Sequence, residues 1–232
     1  MCRLSVIIPV FNAEGLLENS LERISKFLND FGIDHEIIVC DDRSSDRSAQ
    51  IMRALEPRFK TLRCFYNENN KGLGFVLRRM AAAARGEMVV YTDIDLPFGE
   101  KVIGVLYDEA HRSDVVIASR YIRPNDIPLL RRLCSESYYL LCRIMFGIKV
   151  RDIGSGGVAW RRKKDILSLT SADGFGIHVE MLHMALSQGL HVKEIAYQPD
   201  RYKQGSFSVR KHTIPVLRET WQVWKRRARQ MR

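Results

Sequence analysis

The chain has 232 residues, 46% hydrophobic and 28% charged, which supplies a packed core and excludes global disorder. Its 37 basic and 27 acidic residues leave a net charge of +10, so phosphate-bearing partners are favoured: a nucleotide, an anionic membrane or nucleic acid. The five scattered cysteines form no C-x-x-C pair, which excludes that zinc or redox motif and points to reduced thiols in a cytoplasmic setting.

The apolar run at residues 4–10 lacks the shape of a signal peptide. It reads as the first of several buried strands, at residues 4–8, 36–40, 61–66, 88–91 and 115–119. Amphipathic stretches at 13–30, 46–55, 73–85 and 100–111 read as the intervening helices. Such alternation predicts an α/β fold, a mostly parallel sheet with helices on both faces. Beyond residue 122 the spacing predicts a helix over 129–146, a glycine-rich stretch at 153–159 and a helix within 174–189. A strand at 191–197 and a basic helix at 214–232 follow. Residues 138–150 are apolar but broken by Arg143 and Lys149, so they do not span a bilayer. The expected division is one domain over 1–212 and a basic C-terminal helix over 213–232.

In sheets of this kind ligands bind beyond the carboxyl ends of the strands. That selects residues 9–12, 41–45, 93–97 and 120–121. Asp93 and Asp95 follow an apolar strand, and residues i and i+2 of an extended chain project to one side. Two carboxylates facing one spot repel unless a cation such as Mg²⁺ or Mn²⁺ sits between them. The plain alternative is a solvated turn that caps the next helix. Asp41 and Asp42 end another strand, and one of them could accept hydrogen bonds from a ribose or base. Ser45 or Asp46 accounts for helix capping there. Lys71-Gly72-Leu73-Gly74 opens a helix, where anions are favoured, although a simple turn explains it equally well. Arg120, Arg131, Arg132, Arg151, Arg201 and Lys203 include candidate phosphate clamps. Glu180 reads as a general base or as an exposed acid. Ser155, in Gly154-Ser155-Gly156-Gly157, has no partner that would make it a nucleophile. Trp221, Trp224, Lys225, Arg226, Arg227 and Arg229 suit a membrane interface; RNA or plain solvent are the alternatives, and nucleic acid is the less favoured partner.

Taken in order, these motifs are similar to those of the family 2 glycosyltransferases of the GT-A fold. The resemblance is greatest to the polyprenyl-phosphate hexose synthases, such as dolichol-phosphate mannose synthases, and runs over residues 3–212. It implies a nucleotide loop at Pro9 and Phe11, a nucleotide contact from the second acid of Asp41-Asp42, and a diphosphate loop at Lys71 and Gly72. It places the metal on Asp93 and Asp95. It assigns phosphate and acceptor contacts to Arg120, Arg131, Ser155 of the stretch Asp152–Gly156, Arg201 and Ser206, and a helix motif to Gly174-Phe175 with Glu180. The chain departs from the family pattern at Ala13, where an acid is usual, and at Pro97, where many relatives place a metal-binding Gln.

The resemblance implies transfer of a mannose- or glucose-type hexose, with inversion, from a GDP- or UDP-sugar. A lipid-phosphate acceptor is already ionised near neutral pH, since phosphate monoesters have a second pKa of about 6. Such a reaction needs a clamp, for which Arg120, Arg131 and Arg201 are the candidates. A hydroxyl acceptor needs a base, and Glu180 would supply it. A non-catalytic nucleotide-sugar or nucleic-acid binding protein is the third reading. Residues 129–150 and the basic helix are expected to meet a membrane surface or a membrane-protein partner. With Pro97 in place of a ligand, the metal is expected to rest on few protein groups and be completed by the donor diphosphate.

Overall fold

A computed structural model of the chain describes residues 2–122, 129–197 and 209–230. The apolar runs form strands β1 (Leu4–Val10), β2 (His35–Asp41), β3 (Leu62–Tyr66), β4 (Met88–Thr92) and β5 (Val115–Ser119). Between them lie helices α1 (Leu17–Phe31), α2 (Ser48–Leu55), α3 (Leu73–Ala83) and α4 (Val102–Ala110). Then come α5 (Leu129–Phe146), β6 (Gly157–Arg161), α6 (Ile177–Ser187), β7 (Val192–Ala196) and α7 (Val209–Gln230).

The seven strands make one sheet in the order β3-β2-β1-β4-β6-β5-β7. Strand β1 lies between β2 and β4 and is parallel to both, with Leu4 level with His35 and Met88. The chain therefore turns to opposite sides of β1, which opens a crevice at the carboxyl ends of β1 and β4. Strand β6 runs antiparallel to β4 and β5, and β7 is parallel to β5. The expectation of a mostly parallel sheet covered on both faces holds. Alternate strand residues feed two cores. Val6, Ile8, Val39 and Val90 pack against α1, α2 and α4. Ile7, Ile38, Val89 and Tyr91 pack against α3, α5 and α6, joined by Val223 of α7.

Three features differ from the expectation. Helix α1 starts at Leu17 and not at residue 13, because the preceding loop is tied sideways to the loop after β2. There the Ala13 amide donates to Ser48 Oγ at 2.9 Å and the Glu14 amide to Asp46 Oδ2 at 3.0 Å. Strand β6 lies where the sequence reads as glycine-rich; its Val158-Ala159-Trp160 core is short and follows two glycines. Helix α7 begins at Val209, ahead of the division expected at residue 213. It docks on α5 through Tyr138 and Thr220 hydroxyls 2.8 Å apart, and through Arg227 Nη1 donating to the Met145 carbonyl at 2.6 Å.

Candidate functional site

The loops after β1, β2 and β4 converge on the crevice, and each holds one non-glycine residue in the left-handed region: Asn12 at φ 50°, Arg43 at 63° and Leu96 at 48°. Such backbone is disfavoured for an L-residue and persists where surrounding contacts enforce it, commonly at functional sites. Asn12 shows those contacts: its amide donates to Ser44 Oγ at 2.9 Å and its Oδ1 accepts from the Ser45 amide at 2.8 Å. Phe11, next to it, is left 55% exposed, an aromatic ring at a strand end with no core to fill.

Beyond β4 the chain does not stay extended, as the i, i+2 spacing of the acids suggested. Asp93 to Leu96 close a turn, with the Leu96 amide donating to the Asp93 carbonyl at 3.0 Å. The two carboxylates nevertheless act on each other. Burial first, and the Asp95 charge second, push the Asp93 carboxyl up to about 6. The Tyr91 hydroxyl donates to Asp93 Oδ1; burial and the Asp93 charge keep that phenol protonated. Asp93 Oδ2 lies over Gly156, where a Cβ would fall 2.1 Å from it. Glycine at 156 thus lets the Asp93 carboxylate pack close to the backbone; a divalent cation beside the pair would favour the charged form of Asp93. Among the described residues no cluster of three acidic, histidine or cysteine side chains offers a fuller cage.

The second acidic pair is divided by its hydrogen bonds. Asp42 accepts from the backbone amides of Lys71 and Gly72 and from Asn67 Nδ2, all at 2.8 Å. Three of its roughly four acceptor positions are thereby used. Asp42 is thus the anchor of the 67–72 loop, at the position the resemblance gave to the nucleotide contact. The same bonds consume the Lys71 and Gly72 amides, and the Gly74 amide donates to the Asp173 carbonyl at 2.6 Å. Protein groups thus take three of the amides at the start of α3, where the sequence reading allowed either an anion or a simple turn. Among the described residues the Asp41 carboxylate accepts only from the Ser44 amide, at 3.3 Å to either oxygen, and keeps capacity for a ligand. The Lys71 ammonium stands 6.0 Å from the Phe75 ring.

On the far side of β4 stands Arg120, immediately after β5. Asp152 holds its guanidinium in a two-pronged pair, Nε to Oδ2 at 2.9 Å and Nη2 to Oδ1 at 3.0 Å. Burial works against the guanidinium charge and Asp152 overrides it; Asp93 acts in the same direction, so Arg120 lies in the field of the acidic pair. Asp152 is itself placed by Glu194, which accepts from the Arg151 and Asp152 amides at 3.0 and 2.9 Å. His178 is buried in this neighbourhood, and burial pulls its imidazole down to about 4.

Two expected site residues have structural work. The Ser155 hydroxyl donates to the Ala118 carbonyl at 2.6 Å and accepts from the Gly157 amide at 3.1 Å, which ties the 152–157 loop to β5. Glu180 is 5% exposed. It accepts from the Ser171 and Ala172 amides at 2.8 and 2.6 Å and from Ser171 Oγ at 3.1 Å, with Arg226 3.5 Å away. Its lone pairs are largely engaged, which corrects its reading as an exposed acid and weighs against a role as general base. Pro9 lies within β1. The backbone of Arg131 lies in the first turn of α5, but its side chain, like Arg201 and Ser206, lies outside the described residues. Sequence reasoning missed the Tyr91–Asp93 and Arg120–Asp152 contacts. The i, i+2 spacing of Tyr91 and Asp93 was a signal for the first.

A seven-stranded, mostly parallel sheet flanked by helices is the fold of the GT-A glycosyltransferases. Residues 5–167 match the model of Glycosyl transferase family 2, and the chain belongs to that family. It is similar to the dolichol-phosphate mannosyltransferase of Pyrococcus furiosus, 28% identical over 231 residues that cover 96% of this chain and 64% of the relative. The undecaprenyl-phosphate 4-deoxy-4-formamido-L-arabinose transferase of Pectobacterium carotovorum is 32% identical over 161 residues, 68% of this chain and 48% of the relative. The chain thus spans less than two thirds of the length of these relatives. Among solved structures it resembles glucosyl-3-phosphoglycerate synthase from Mycobacterium tuberculosis, in complex with Mn²⁺, UDP and glucosyl-3-phosphoglycerate. The TM-score is 0.74 at 20% identity, over 97% of this chain and 80% of the other; that likeness is one of fold.

Proposed function

We propose that the chain transfers a hexose from a GDP- or UDP-linked sugar to a polyprenyl or dolichyl phosphate, with inversion at the anomeric carbon. The observation that carries this choice of acceptor is the state of Glu180. A hydroxyl acceptor would need a base, and the carboxylate expected to serve is bound to two backbone amides, a hydroxyl and Arg226. A phosphate monoester is its own nucleophile and needs only to be held in line. The named activities of the relatives from Pyrococcus furiosus and Pectobacterium carotovorum point the same way.

Within this reading Phe11 and Pro9 border the base, Asp41 accepts from the nucleoside, and Lys71 reaches the diphosphate through its ammonium group. Asp93 and Asp95 would hold Mg²⁺ or Mn²⁺, which when bound neutralises charge on the departing diphosphate. Arg120, locked by Asp152, presents a fixed positive charge beside the acidic pair. Arg131, Arg201 and Ser206 complete the phosphate contacts. Residues 1–212 form the transferase body, and 213–232 belong to a helix that faces the lipid.

The exposed stripe Leu133, Leu140 and Ile144 of α5, with Ile214, Leu217 and Trp221 of α7, supports a peripheral position at a membrane surface. Among the described residues no helix is long and apolar enough to cross a membrane. The test is transfer from UDP-glucose and GDP-mannose to polyprenyl monophosphate in mixed vesicles, beside saccharide hydroxyl acceptors. Product that requires the lipid phosphate is expected. Efficient transfer to a saccharide, with the lipid phosphate ignored, would overturn the reading.

A further inference from the structure

The first acid of the metal pair is gripped by a residue outside the acidic motif. Tyr91 lies in β4 between Ile7 of β1 and Val158 of β6. It is 2% exposed, and its ring centre lies 6.0 Å from that of His178, the two planes inclined at 32°. A ring wedged in this way fixes its hydroxyl at the end of the strand. That hydroxyl donates to Asp93 Oδ1. The other oxygen, Oδ2, lies over Gly156. A Cβ there would meet it at 2.1 Å and meet Pro97 Cγ at 3.1 Å, so this side of the carboxylate is packed on the Gly156 backbone with Pro97 beside it.

We propose that Tyr91 is a positioning residue that holds Asp93 Oδ1 and fixes the carboxylate's orientation, which disfavours binding of a divalent cation through both oxygens at once. This rests on the assignment of Asp93 and Asp95 as metal ligands. A carboxylate restricted to one oxygen suits Mg²⁺ or Mn²⁺. Mg²⁺ takes single oxygens in a near-octahedral shell at about 2.1 Å, whereas Ca²⁺ fills a larger, looser shell that often includes both oxygens of one carboxylate. Tyr91 thereby contributes to choosing the metal without touching it, as outer partners of ligands commonly do.

The test is Mn²⁺ binding followed by electron paramagnetic resonance, with UDP and in parallel with GDP present, and with Ca²⁺ as competitor. The parent chain is expected to prefer Mn²⁺ over Ca²⁺ by about tenfold or more. Tyr91→Phe keeps the buried ring and is expected to weaken Mn²⁺ binding about tenfold or more. Ca²⁺ should lose less, so the preference narrows. The effect should vanish in an Asp93→Asn background, because the two residues act as one unit. Melting without metal certifies the fold of each variant. A folded Tyr91→Phe with the parent's Mn²⁺ affinity and the parent's Ca²⁺ discrimination overturns the proposal. So does a parent in which Ca²⁺ displaces Mn²⁺ at equal concentration, an outcome that needs no variant at all. A parent that binds no Mn²⁺ with either nucleotide overturns the metal assignment itself.

Discussion

His178 and Asp93 titrate in opposite senses. Burial lowers His178 to about 4, against about 6.5 in an unfolded chain. The unfolded state therefore binds more protons between those values, and the neutral ring's contribution is complete above pH 6.5 and lost as pH falls toward 4. The shift corresponds to about 3 kcal/mol at most. Asp93, raised to about 6, does the reverse: its contribution is complete below about pH 4 and lost as pH rises through 6. His178→Phe removes the first effect and leaves the second. Unfolding by urea between pH 4 and 7 should show parent and variant diverging, with the variant relatively more stable toward pH 4 than at pH 7. A constant difference across that range would mean that His178 is not the titrating group. Asp42 marks how far single residues could be read in advance. Its place after an apolar strand was plain, but the choice between ligand and loop anchor depended on amides some thirty residues away, at Lys71 and Gly72.

At the scale of elements, the segment 171–176 is clasped from several sides. The Ala172 and Asp173 carbonyls lie against Gly74 and Gly72, and Arg78 Nη1 donates to the Ala172 carbonyl at 2.7 Å. Glu219 of α7 accepts from the Gly176 amide at 2.6 Å. Glycine at position 74 is required by this contact, since a Cβ there would fall 2.0 Å from the Ala172 carbonyl oxygen. Alanine has the better helix propensity, yet Gly74→Ala is expected to lower stability by about 2 kcal/mol, because backbone must yield. Thermal melting decides it; a variant as stable as the parent would show that the two loops are not in firm contact. The first five strands and the four helices between them were legible because each is an apolar or amphipathic run with its own period. Strand β6 was not, because an antiparallel strand of five residues draws its stability from β4 and β5 on either side, and its lead-in is glycine.

Over the whole molecule, the charge of +10 and the exposed apolar residues of α5 and α7 point to one test. Binding to vesicles with anionic lipid should fall as salt rises, since surface attraction decays within about 8–10 Å near physiological ionic strength. Ile144→Asp with Trp221→Ala should reduce binding at every salt concentration, because both side chains are exposed, 76% and 49%, and carry the apolar part. Co-sedimentation measures both effects, and retention of the double variant equal to the parent would count against this face. The amphipathic pattern suggested the surface in advance. What it could not supply was the docking of α7 on α5, which depends on Tyr138, Thr220 and Arg227 meeting across more than eighty residues.

Strands β3 and β7 are the outermost of the sheet, and each carries a charged residue that is held in place. Arg63 of β3 pairs with Glu36 at 2.5 Å and donates to the Ala83 carbonyl at 3.0 Å; Lys193 of β7 pairs with Glu109 at 2.6 Å. Fixed charges on outer strands obstruct pairing with a strand from another chain. A protein gathered onto a lipid surface is raised to a high local concentration, where open sheet edges would join neighbours into aggregates. If the chain docks on a membrane as proposed, these two ion pairs would oppose edge-to-edge joining of neighbouring copies.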